Sequence, residues 1–165
     1  MKKALALALV MLALAAVAAE SATKRLMWPI EIGDMFFSHM ETALSDDERT
    51  TGLMFRTTLP DDGGMLFLFP KAEKHSFWMR NCLIPLDVLF IDVDGKITAI
   101  HTMKAEKPRG GNESEDAYIE RLPSYPSKAD VIAAIELNAG MAEALGLKVG
   151  DKVEIFREEL SKHLK

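Results

Sequence analysis

Residues 52–92 read GLMFRTTLPDDGGMLFLFPKAEKHSFWMRNCLIPLDVLFID, and this stretch decides the fold. Three apolar runs of strand length stand in or at the end of it, at 65–69, 76–81 and 86–93. Single polar residues interrupt the apolar ones: Arg56 after Gly-Leu-Met, Arg80 and Asn81 after Phe-Trp-Met, Asp87 after Pro-Leu. A half-buried charge in such company must find a partner, because an unpaired one costs several kcal/mol. The segment is therefore either an ion-pair core or the wall of a site.

Upstream, residues 35–43 (MFFSHMETA) have strand character, and Ser45-Asp46-Asp47-Glu48 matches a capping box. That box predicts a helix from Asp46 to about Phe55, with Gly52 near its end; Pro60, two Asp and two Gly then make 59–64 a turn. Downstream, Asp94-Gly95 separates two β-rich runs, a hairpin signal because both central turn residues need positive φ. Residues 104–127 are polar, with Gly110-Gly111 and three prolines. They read as a long loop, a candidate lid or partner-docking edge bearing Tyr118 and Tyr125. Residues 131–137 (VIAAIEL) predict a strand, Asn138 a cap for a helix over 139–145, and 152–156 a closing strand. The expected architecture is α+β: a single compact β-rich domain, a mostly antiparallel barrel-like sheet, and two or three short helices.

The two ends read differently from the middle. Lys2 and Lys3 precede an uninterrupted apolar run over 4–19 that closes on small residues before Glu20. This is the plan of a signal peptide over 1–19, cleaved after Ala18 or Ala19. The run is shorter than the roughly 20 residues that span a bilayer, and no Cys follows it to carry a lipid. The expectation is an exported protein, periplasmic or secreted, with no stable membrane insertion after cleavage. A lead-in segment follows over 20–33, then the domain over 34–157 and a charged tail over 158–165. With Lys2 and Lys3 set aside, 18 basic residues face 25 acidic ones, a formal charge of −7. That disfavours nucleic acid and anionic membrane surfaces, which require clustered positive charge. Cys82 is the only cysteine, so no intramolecular disulfide forms.

Gly52-Leu53-Met54-x-Arg56, Gly64-Met65-Leu66-Phe67, Phe77-Trp78-Met79-x-Asn81 and Pro85-Leu86-Asp87-x-x-Phe90 occur in this order at tight spacing. With Glu136-Leu137-x-Ala139-Gly140 and Gly150-Asp151, they resemble domain-of-unknown-function family 192, also called uncharacterised protein family 0127. The resemblance covers residues 36–156. It implies a compact β-rich fold and, often, export, but no reaction. Cys82 stands where the family usually has Thr.

The polar residues of 52–92 carry two competing readings. Arg56 and Asp87 could form a bidentate pair that pins the helix to the sheet. Alternatively they line a cleft, with Asn81 adding donors and acceptors. Trp78 is either core or a stacking platform, and beside Arg80 on a strand face it permits a cation–π contact. Arg56, Trp78, Arg80, Asn81 and Asp87 are thus the candidate ligand-binding residues. Cys82 reads better as a small buried hydrophobe than as a nucleophile. The four histidines have no metal-ligand spacing, and the methionines stand in apolar runs as packing residues. Asp92 and Asp94 belong to the hairpin rather than to a calcium loop. No motif calls for a catalytic residue, a metal or a cofactor. The reading is a small binding or accessory module of the cell envelope, its partner a small polar ligand or an envelope protein. The alternatives are a hydrolase-type enzyme with Asp87 as general base, and a structural interaction domain without a small-molecule site.

Overall fold

The computed structural model describes residues 25–164, so the expected signal peptide lies outside them. In chain order the elements are β1 (Ile30–Ile32), β2 (Met35–Phe37), β3 (His39–Ala43), α1 (Asp46–Thr51), β4 (Gly63–Glu73), β5 (Ser76–Phe77), β6 (Leu86–Ile91), β7 (Ile97–Met103), α2 (Glu115–Glu120), β8 (Tyr125–Pro126), β9 (Val131–Asn138), α3 (Met141–Ala144) and α4 (Arg157–Ser161). The order β3-β4-β9-β6-β7 makes a five-stranded sheet; β1-β2 and β5-β8 are separate two-stranded pairs.

Local chemistry sets several elements. Ser45 Oγ accepts from Glu48 N at 3.2 Å, and the Glu48 carboxylate accepts from Ser45 N at 2.9 Å, so the capping box starts α1 as expected. α1 lies in the connection from β3 to β4, which pair parallel, with His39 opposite Gly63 and Ala43 opposite Phe67. Gly64 is needed where β4 passes β9, since a Cβ there would sit 2.7 Å from the Glu136 carbonyl oxygen. The Asp94-Gly95 turn joins β6 to β7 in an antiparallel hairpin, but of the two only Gly95 has positive φ, and the Asp92 carboxylate holds the turn by accepting from Asp94 N and Lys96 N.

The sheet buries both faces. On one, Leu66, Leu68, Leu89, Ile91, Ile135 and Leu137 pack under β1-β2, α3 and α4. On the other, Met65, Phe67, Val88, Phe90 and Ala134 pack under Leu53, Met79 and Cys82. Each fully buried side chain of this size contributes about 1.5–3 kcal/mol relative to exposure.

Several expectations need correction. β3 and β7 are opposite edges of the sheet, so no closed barrel forms among the described residues. Four helices are present among those residues, not two or three. Residues 104–127 are not a bare loop: they contain α2 and β8, because Ser114 caps α2 and buried Tyr118 anchors it. The run 76–81 is strand only at Ser76–Phe77, since Asn81 turns the chain at φ 55°. Residues 152–156 make one isolated bridge, Lys96 to Lys152, rather than a strand. The lead-in is partly ordered into the fold through β1 and a bridge from Met27 to Glu41.

Candidate functional site

A β-bulge creates room on one face of the sheet. The register of β4 against β9 shifts between Leu68 and Glu73, around exposed Pro70, which has no N–H to give the ladder. The chain then turns back and runs over the sheet through His75, Phe77 and Trp78. His75 stacks flat on Phe69, with ring centroids 3.6 Å apart, and its backbone is tied to Ser127. Phe77 meets Phe67 and Phe90 edge-on at 4.9 and 5.3 Å. Between this overlying strip, the end of α1 and the sheet lies a cavity of about 410 Å³.

Aromatic rings of Phe67, Phe69, Phe77 and Trp78 form much of its wall, and Arg49, His75, Arg80, Cys82 and Glu136 contribute polar atoms. Arg49 Nη1 donates to the carbonyls of Leu44 and Leu68 and Nη2 to Asp46, which also lines the cavity. Among the described residues, Glu136 Oε2, Arg80 Nε and His75 Nε2 are buried without a hydrogen-bond partner. Buried polar groups are nearly always satisfied, so three orphans around one cavity are unusual.

Their electrostatics follow from burial. Glu136 is 4% exposed, and desolvation pushes its carboxyl up to about 8, with Arg25 opposing only in part. At neutral pH it carries a proton. Burial also lowers His75 below the usual histidine value, so the ring is neutral near pH 7. The Cys82 thiol is pushed up to about 12 by burial and then by the Glu136 charge, which makes it a packing residue rather than a nucleophile.

The candidate residues divide between the two faces. Trp78 and Arg80 line the cavity; Trp78 is 40% exposed and Arg80 is held by an ion pair to Glu115 of α2. Asn81 sits at the turn behind them. Its N–H donates to Tyr118 Oη at 2.9 Å, and its carbonyl accepts from Phe55 N at 2.8 Å. Asn is among the few side chains that tolerate this left-handed backbone. Tyr118 is therefore buried support for the cavity wall rather than an exposed docking edge, and Tyr125 pairs with Phe77 through β8.

Arg56 and Asp87 are not partners. Arg56 reaches both Glu41 oxygens at 2.7 Å, while Arg25 takes Glu41 Oε2 at 3.4 Å and the Gly52 carbonyl at 3.0 Å. The parallel β3–β4 pairing puts Glu41 within reach of Arg56 at the sheet edge. Asp87 lies opposite Leu137, on the face away from the cavity. It is fully buried, accepting from Thr102 Oγ1 at 2.7 Å and from Ala142 N at 2.9 Å. It thus caps α3, the role expected of Asn138; the Asn138 amide instead donates to the carbonyls of Leu59 and Pro60.

Glu136, Arg49 and His75 are among the cavity residues the sequence reading did not single out for a site. One signal was available for Glu136: an acid inside the apolar run VIAAIEL. Elsewhere, Ser38, His39 and Asp62 meet at the surface, but both partners address the same ring nitrogen, Nδ1. That arrangement cannot pass a proton across the ring. No group of three metal-ligating side chains occurs among the described residues.

With this geometry in hand, the chain can be compared with known proteins. The model of the DUF192 family, described as an uncharacterized ACR, matches residues 31–155. A crystal structure of a protein of unknown function from Novosphingobium aromaticivorans is similar, with a TM-score of 0.63 and 32% identity over 82% of this chain and 89% of that one. So is a Sinorhizobium meliloti protein provisionally described as a transcription regulator, with a TM-score of 0.58 and 34% identity over 76% of this chain and 88% of that one. No curated protein matches.

Proposed function

The chain belongs to the DUF192 family, whose activity is uncharacterised, and on the geometry above we propose that it is a small-molecule binding module. One observation carries this reading: Glu136, Arg80 and His75, each with a buried polar atom that has no hydrogen-bond partner, line the same aromatic-walled cavity. A cavity of about 410 Å³ with apolar walls and a few polar atoms matches the usual make-up of a small-ligand site. Trp78 and Arg80 are its binding residues, with Glu136 and His75 added to them. Asn81 shapes the wall, and Arg56 and Asp87 hold the surrounding structure. The hydrolase reading has no geometric support, because the Asp87 carboxylate is bonded and closed off on the opposite face. The provisional description of the Sinorhizobium protein is not carried over, since a formal charge of −5 runs against binding to nucleic acid.

The same proposal places the protein in the periplasm or outside the cell, as an accessory of the envelope. The basic start and apolar run of residues 1–19 support this. No helix among the described residues is long and apolar enough to cross a membrane. N-terminal sequencing of protein recovered from the envelope fraction should begin at Ala19 or Glu20; an intact Met1 in that protein would count against cleavage.

Thermal denaturation against a panel of organic acids, sugars, peptides and amines tests the binding reading. A ligand at 100 times its dissociation constant adds about 2.7 kcal/mol of stability. The shift should vanish in a folded Trp78→Ala variant. A panel without any shift would remove the support for a small-molecule site.

A further inference from the structure

The rings that line the cavity are not equivalent, and its charges are already paired. We infer that the cavity takes an uncharged planar aromatic compound bearing an N–H group, its ring stacked on Trp78 and its N–H donating to the Glu136 carboxyl. This rests on the binding reading above and narrows it.

The aromatic wall carries the first part. Phe67 and Phe77 meet edge to face, Phe77 also meets Phe90, and His75 stacks flat on Phe69. Trp78 lines the same cavity and is 40% exposed. Among the described residues, no second ring packs against its indole and no guanidinium stacks on it. A large ring that the core leaves unpaired beside open volume suits a second ring, stacked with an offset. The other three cavity rings, Phe67, Phe69 and Phe77, are wholly apolar. A sugar would bring hydroxyls that such a wall leaves without partners.

The charges of the lining then select a neutral ligand. Arg49 is paired with Asp46, and both line the cavity; Arg80 is paired with Glu115. Burial keeps His75 uncharged near pH 7 and keeps the Glu136 carboxyl protonated. The cavity thus holds no spare charge to balance an acid or an amine, and a buried ligand charge without a partner is costly.

Glu136 supplies the polar contact. It is 4% exposed, it lines the cavity, and its Oε2 has no hydrogen-bond partner among the described residues. A carboxyl keeps an accepting oxygen whether or not it is protonated, so a ligand N–H has an acceptor in either state. A ring N–H donates in the plane of the ring without carrying a charge, which leaves both ring faces free to stack. Arg80 Nε–H, also without a partner, remains for an accepting substituent.

Calorimetric titration of the purified protein with indole, 1-methylindole, indole-3-acetate, tryptamine and methyl glucoside separates the possibilities. Indole should bind, and 1-methylindole, which has lost the N–H, should bind about 10-fold more weakly. Indole-3-acetate and tryptamine should each be about 10-fold or more weaker than indole. Trp78→Leu, which keeps an apolar side chain but removes the ring, should cost indole about 3- to 10-fold. In Glu136→Met the preference for indole over 1-methylindole should disappear. If 1-methylindole matches indole in the native protein, or Glu136→Met keeps the preference, the hydrogen bond to Glu136 is overturned. If indole-3-acetate, tryptamine or methyl glucoside binds as well as indole, the neutral-ring inference fails and the binding reading survives. If none of the five binds at millimolar concentration, the inference also fails, and a shift elsewhere in the thermal panel decides the broader reading.

Discussion

Asp87 and Glu136 are buried carboxylates on adjacent strands of one sheet, one residue out of register and on opposite faces. Both are almost wholly removed from water, yet their hydrogen bonding is opposite. Asp87 accepts from Thr102 and from the first turn of α3, so its burial locks an element in place. Glu136 Oε2 has no hydrogen-bond partner among the described residues, and Glu136 lines an aromatic cavity that Arg80 and His75 also line. The difference teaches that burial of an acid does not mark a site. An acid whose hydrogen bonds are complete belongs to the scaffold; one left incomplete next to open volume is available to a ligand.

Three substitutions probe that contrast, from the largest expected effect to the smallest. Asp87→Ala should cost about 3–5 kcal/mol, because it strands the Ala142 N–H and the Thr102 hydroxyl in the core. Urea denaturation reads this directly, and a loss under about 1 kcal/mol would place Asp87 outside the scaffold.

Glu136→Gln should act in the opposite direction, and its effect should depend on pH. The folded-state carboxyl titrates at about 8 against 4.5 for an unperturbed one. Between those values the folded state holds a proton that the unfolded state releases, so folding stability falls as pH rises through that window and levels off above about 8. The full shift corresponds to at most about 5 kcal/mol, and the buried amide of Gln retains part of the cost. The variant should therefore exceed the native protein by about 2 kcal/mol above pH 8 and converge with it near pH 5. Parallel stability curves for the two proteins would contradict this. Arg56→Ala should do least. Arg56 is the more exposed partner of Glu41, which keeps Arg25, so the loss should stay below about 1 kcal/mol. A cost of 3 kcal/mol or more, on the scale of a broken buried pair, would make Arg56 part of the core.

Much of the sheet was legible because it depends on neighbours in sequence. The Ser45–Glu48 box, the Asp94-Gly95 hairpin and the apolar runs of β4, β6 and β9 needed no distant partner to be read. The site was less legible, because its logic is long-range. Asp87 finds its helix 55 residues away, and Arg56 meets Glu41 only through a parallel pairing that no local pattern announces. Trp78 and Arg80 were marked by their apolar surroundings and do line the cavity. Glu136 and His75 become informative only once the bulge near Pro70 folds His75 over the sheet and leaves Glu136 unanswered. Residues 104–127 misled for a related reason: their composition is that of a loop, but Tyr118, Leu122 and Ser127 are buried, and Tyr118 fastens the segment to the Asn81 turn.

The account rests most on the state of Glu136. Carbon-13 NMR titration of its side-chain carboxyl, assigned by comparison with Glu136→Gln, measures that state in the folded protein. A midpoint at about 8 is the expected result. A midpoint near 4.5 would mean that water or a charged partner already satisfies the carboxylate, and the contrast with Asp87 would no longer define a site.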